Sequence, residues 1–217
     1  MRVITLFSLT PLLAIISAVP TNPAPQTHCP GEATVATFDD RQPIPLVPEI
    51  NTVGFYRGIR YNSFDIVKVG LPGLPPITGL IPQSGDIMIV NGLVADVLRG
   101  EPSFYTATIP AFDLEELYFG CTLNTVQSAV LIPTPCTVQF TGVKNNVDPG
   151  GGTRTTITFQ FNPENTVLSH LTRAAFEGPA WVNLQKIEVA IVQGVSTTLS
   201  VLFLDSIKYR NCTTAGS

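Results

Sequence analysis

Along residues 153–161 apolar side chains fall on every second position, with Ile157, Phe159 and Phe161 alternating against Thr156, Thr158 and Gln160. Successive side chains of a strand point to opposite faces, so this period of two marks an extended segment with one face buried. Cys136, Val138 and Phe140 alternate with Thr137, Gln139 and Thr141 in the same way. Between the two runs lie Asn145, Asn146, Asp148, Pro149 and three glycines, which are turn formers, so a hairpin is expected through residues 144–152. Further strands are expected at 34–39, 54–69, 86–90, 103–109, 125–132, 184–192 and 197–209. Short helical candidates occur only at 113–117 and 167–176. Many short strands with turn signals between them predict an all-β fold, a single jelly-roll β-sandwich. Prolines 72, 75, 76 and 82 exclude residues 71–84 from a sheet interior, because proline has no ladder donor.

The chain opens as an export signal: Arg2, then an apolar stretch from Val3 to Val19, with the small residues Ser17 and Ala18 at its end. Pro11 interrupts that stretch, leaving it short of the roughly 20 apolar residues a spanning helix needs. Cleavage is expected after Ala18, followed by a proline-rich tail over 19–28, the sandwich over 29–212 and a short tail over 213–217. The expected location is therefore secreted and extracellular, without a membrane segment. Cys29, Cys121, Cys136 and Cys212 make an even number, and in an exported chain two disulfides are the default. Cys29 precedes the first strand and Cys212 follows the last, while Cys121 and Cys136 flank a short loop between strands; the expected pairs are Cys29–Cys212 and Cys121–Cys136. Asn211-Cys212-Thr213 is formally a glycosylation sequon.

A formal charge of −4 with dispersed Lys and Arg argues against nucleic acid and anionic membrane surfaces as partners. No Gly-x-Ser-x-Gly, His-Glu-x-x-His, phosphate loop or Cys-x-x-Cys occurs. The two histidines, His28 and His170, are too few for a histidine metal cluster. A glycosidase needs only two acids, and Asp65, Asp86, Asp96, Glu115 and Glu116 are the candidates, though each also reads as a solvated turn or strand-edge charge.

Two groups of residues are candidate sites. Alternation through Val201, Phe203, Asp205, Ile207 and Tyr209 places the Asp205 carboxylate towards the interior, where it must be paired, hydrogen-bonded or metal-bound. Asp39 and Asp40, near the start of the domain, offer carboxylates that would converge with it around a hard cation such as Ca²⁺; alternatively Asp205 accepts backbone N–H groups while Asp39 and Asp40 open a turn. Tyr56, Tyr61, Tyr105 and Trp181 are the candidates for stacking on sugar rings, because each combines an aromatic plane with a polar tip.

Thr37-Phe38-Asp39-Asp40, Tyr56-Arg57-Gly58 with Tyr61-Asn62-Ser63-Phe64, Phe112-Asp113-Leu114 leading to Phe119-Gly120-Cys121, Cys136-Thr137-Val138 with Thr141-Gly142, and Leu204-Asp205-Ser206 with Tyr209 together resemble a group of small secreted fungal proteins. That group is similar to the jelly-roll fold of galactose-binding-like and carbohydrate-binding modules. The resemblance implies a structural Ca²⁺ held by Asp39 or Asp40 with Asp205, and it implies no catalytic residue. The expected function is non-catalytic binding of cell-wall or host polysaccharide. The competing readings are a secreted polysaccharide hydrolase or lyase, and an effector-like protein that binds a protein partner.

Overall fold

The computed structural model describes residues 28–42, 51–70, 78–92, 98–123, 131–144, 152–195 and 199–212. The expected signal and tail over 1–27, the first half of the proline-rich loop (71–77), the turn of the 144–152 hairpin, most of the 125–132 segment, Asp96 and Thr213 lie outside these residues. The described strands are β1 (Ala33–Ala36), β2 (Thr52–Tyr56), β3 (Ile59–Lys68), β4 (Leu80–Ile81), β5 (Ile87–Asn91), β6 (Ser103–Thr106), β7 (Ala111–Leu123), β8 (Ile132–Pro133), β9 (Cys136–Lys144), β10 (Thr153–Phe161), β11 (Ser169–His170), β12 (Thr172–Ala175), β13 (Lys186–Gly194) and β14 (Ser200–Cys212).

Twelve of these strands form one sheet in the order β10-β9-β13-β6-β3-β5-β14-β7-β12, with β1 added to β14, β2 to β3 and β8 to β7. A short parallel pair, β11 and β4, forms a second sheet. The large sheet curls until strands distant in its order face each other: Phe119 of β7 meets Phe140 of β9 and Phe159 and Phe161 of β10, with ring centroids 6.1 to 6.5 Å apart. The fold is therefore an all-β sandwich whose two layers belong to one continuous, curled sheet. Strongly twisted sheets of this width curl or split so that both apolar faces are covered.

Both disulfides are present, Cys29–Cys212 and Cys121–Cys136. The first closes the domain beside the β1–β14 pairing. The second joins β7 to β9, which are not hydrogen-bonded to each other, and staples one layer of the curled sheet to the other.

Three expected elements differ. Residues 54–69 were read as one strand but make the β2–β3 hairpin, because Arg57 and Gly58 both take positive φ, 49° and 89°, and reverse the chain in two residues. That pair of backbone conformations suits the right-handed twist of the flanking strands, and the glycine adopts it without a Cβ clash. The helical candidate at 113–117 lies inside β7, whose partner β14 satisfies its backbone. The candidate at 167–176 holds β11 and β12, and the described helical turn nearby is the 3-10 segment Pro179–Trp181.

The core is aromatic. Phe38, Tyr56, Tyr61, Phe104, Phe112 and Tyr209 form one chain of ring contacts, and Phe119, Phe140, Phe159, Phe161, Phe176 and Trp181 form another.

Candidate ligand-binding face

Asp205 is fully buried on β14. Its carboxylate accepts the Ser84 N–H at 2.9 Å, the Ser84 hydroxyl at 3.2 Å and the Ser206 N–H at 2.5 Å. Burial pushes its pKa up to about 6, against the opposing pull of the Ser84 and Ser206 backbone bonds. Asp39 is exposed and rests against the backbone of Gly85. Asp40 points elsewhere: it accepts the Tyr56 hydroxyl at 2.7 Å and lies 3.9 Å from Arg57. The three aspartates therefore do not gather into one ligand cluster. Among the described residues the only such cluster is Cys29, Asp113 and Cys212, whose sulfurs are bonded to each other. Asp205 and Asp40 are engaged by different partners, Asp205 by the Ser84 and Ser206 donors and Asp40 by Tyr56 and Arg57.

The buried proton of Asp205 has a measurable consequence. The folded state keeps it to about pH 6, whereas an unconstrained aspartate releases it near 3.8. The folded state thus binds more protons across that window, so this group's contribution to stability falls as pH rises from about 4 to 6, by on the order of 2 to 3 kcal/mol, and is level above. Denaturant titrations at pH 4 to 7 are expected to show this fall in the wild type and to show it flattened in Asp205→Asn. Equal slopes in both proteins would refute it.

The described acids considered for catalysis are engaged. Asp65 takes a two-pronged bond from Arg99, Asp86 pairs with Lys68 at 2.9 Å, and Glu116 pairs with Arg173. Glu115 lies between Lys208 and Arg210; burial would raise its pKa, but hydrogen bonds from the two cations outweigh it and hold the carboxyl below its usual range. Glu115 lines a cleft of about 440 Å³ with His28, Asp113, Phe176, Trp181 and Arg210. Asp113 serves there as an anchor, accepting the N–H groups of Cys29 and Asn183, each at 2.8 Å. Glu115, held below its usual range, is not poised as a proton donor, and the carboxyl that burial raises, Asp205, is enclosed away from the cleft.

Three of the four stacking candidates are interior residues. Tyr56, Tyr61 and Trp181 are each at most 4% exposed. The Tyr56 ring stacks on Phe38 with centroids 4.9 Å apart, and the guanidinium groups of Arg41 and Arg57 lie 4.8 and 5.2 Å from its centroid. Tyr61 contacts Phe38 and Phe104, and Trp181 contacts Phe176.

Tyr105 is different, because it is partly exposed on the outer face of the sheet. Directly paired residues on adjacent strands share a face. The register Phe55–Arg60–Tyr105–Lys186 crosses β2, β3, β6 and β13, and so sets these four side chains in one outward row. Phe55 is 48% exposed, unusual for a ring in this chain, and Arg60 is exposed. Phe55 and Tyr105 stand two strand spacings apart, about 10 Å, with Arg60 between them. Past the row, β9 and β10 present Thr137, Gln139, Thr156, Thr158 and Gln160 on the same outer surface. Phe55 and Arg60 were not among the sequence candidates. In the sequence Phe55 is indistinguishable from the core phenylalanines, and only the turn at Arg57–Gly58 sets it opposite Arg60.

No family model and no curated protein matches this chain. Two solved structures are similar in fold at 10% identity: a DUF4465 family protein from Bacteroides caccae, covering 83% of this chain and 93% of that one, and the K1 cleaved adhesin domain of Lys-gingipain from Porphyromonas gingivalis, covering 83% and 98%. Both have a TM-score of 0.44, and at that level the likeness carries no argument. Among the described residues no helix is long and apolar enough to cross a membrane.

Proposed function

We propose that this chain is an exported, non-catalytic protein that binds polysaccharide on the outer face of its sheet. The observation that carries this reading is the in-register pair of outward rings, Phe55 and Tyr105, on the two strands that flank β3. Rings held by a rigid sheet offer flat apolar faces to sugar rings with little ordering cost, and the neighbouring threonine and glutamine side chains supply hydroxyl and amide partners. Two platforms about 10 Å apart suit an extended chain of sugars better than a single ring. The engaged state of every described candidate acid supports binding over hydrolysis.

The domain is expected to be retained on insoluble polysaccharides from a panel of neutral and acidic wall polymers without releasing soluble sugar. Phe55→Ala and Tyr105→Ala should each weaken retention by about 2- to 10-fold, the worth of one stacking contact, with melting temperatures close to wild type. Release of oligosaccharides would establish the hydrolase or lyase reading, and no retention on any polymer would leave a protein partner as the favoured one.

A further inference from the structure

The two outer rings flank a charge without an ion-pair partner among the described residues. Among the described residues no carboxylate lies within ion-pair distance of Arg60, no hydrogen bond fixes its guanidinium, and the cation–ring contacts are made by Arg41 and Arg57, both with Tyr56. Other exposed arginines of the outer surface are neutralised: Arg154 pairs with Glu188, which Lys186 also approaches at 3.1 Å. Around the β2–β3 hairpin the balance is reversed. Arg41 donates to the Phe55 carbonyl at 2.7 Å, and Arg57 donates to the Val35 carbonyl at 2.9 Å and lies 3.9 Å from Asp40, so two further arginines stand at the hairpin that carries Arg60, with Asp40 as the acid paired there. In a chain of net charge −4 this is a local positive surface, and it coincides with the aromatic row.

We infer that the face reads acidic polysaccharides: Phe55 and Tyr105 stack on sugar rings while Arg60, between them, takes the carboxylate of a uronic acid residue. This rests on the polysaccharide-binding reading above and specifies its ligand. A guanidinium presents two parallel N–H donors that match a carboxylate, a fit that a neutral hydroxymethyl group cannot reproduce and that lysine cannot supply. The pairing is solvent-exposed and so sensitive to ionic strength, whereas stacking is not.

The probes are polygalacturonate, its methyl ester, a neutral β-glucan and polyglutamate, with binding measured on the mature domain at low and at physiological salt. Polygalacturonate is expected to bind about two- to fivefold more tightly than its ester at low salt, the worth of an exposed ion pair. Arg60→Gln should abolish that preference, so that polygalacturonate and its ester bind alike, and Arg60→Lys should restore only part of it. Equal binding of acid and ester, or an Arg60→Gln variant with undiminished preference, would overturn the uronate assignment yet leave polysaccharide binding standing. Binding of polyglutamate as tight as that of polygalacturonate would overturn the sugar part of the assignment in favour of an acidic polypeptide. Absence of binding to every polysaccharide would overturn the parent reading itself.

Discussion

Replacing Trp181 by alanine is expected to destabilise the domain by about 3 to 5 kcal/mol, the usual cost of emptying a buried aromatic site. The indole is 4% exposed and meets Phe176 edge-on at 4.7 Å. Phe176 in turn contacts Phe140 and Phe159, each at 5.4 Å, so the indole fixes one end of an aromatic chain that runs between the layers. It also holds the 3-10 turn Pro179–Trp181 against the sheet, next to the residues that anchor Asp113. Denaturant titration gives the value directly. A Trp181→Ala protein of wild-type stability that had lost polysaccharide binding would contradict this assignment and return Trp181 to the ligand site.

The second large effect concerns the bridges. Cys29 and Cys212 are 183 positions apart, whereas Cys121 and Cys136 are 15 apart. In the chain-entropy account the longer loop restricts the unfolded chain more, by about 5 kcal/mol against about 3. Substituting both cysteines of the first bridge should therefore lower stability more than substituting both of the second, and it should also slacken the strap that Asp113 secures through the Cys29 N–H. Comparing the two double variants by denaturant midpoint and slope tests the order; a reversed order would mean that the inter-layer staple matters more than the closure of the chain.

How far the sequence discloses this molecule follows from which forces act locally. Alternation is a local signal, and it locates β9 and β10 and buries Asp205, because the side-chain period of a strand is fixed by the backbone. The cysteine pairing is legible from position alone, since one pair flanks the whole set of strands. The β2–β3 reversal is not, because Arg57-Gly58 lacks the Asn-Gly signature of two-residue turns and sits within a run rich in strand formers. That one turn decides which aromatic residues are available. It sends Tyr56 and Tyr61 inward to the ring chain and leaves Phe55 outward beside Arg60. Exposure of an aromatic ring depends on cross-strand register, a long-range property that composition and periodicity do not encode.

The Cys29–Cys212 bridge also determines how the domain answers to load. Tension applied to the segments outside the bridge passes from one half-cystine to the other and leaves the strands between them slack, because those strands lie within a covalently closed loop. Mechanically the domain is a closed link: tugged from both sides, it does not lengthen by unravelling until the bridge is reduced, whereas force entering through a sheet face must be borne by the hydrogen-bonded strands.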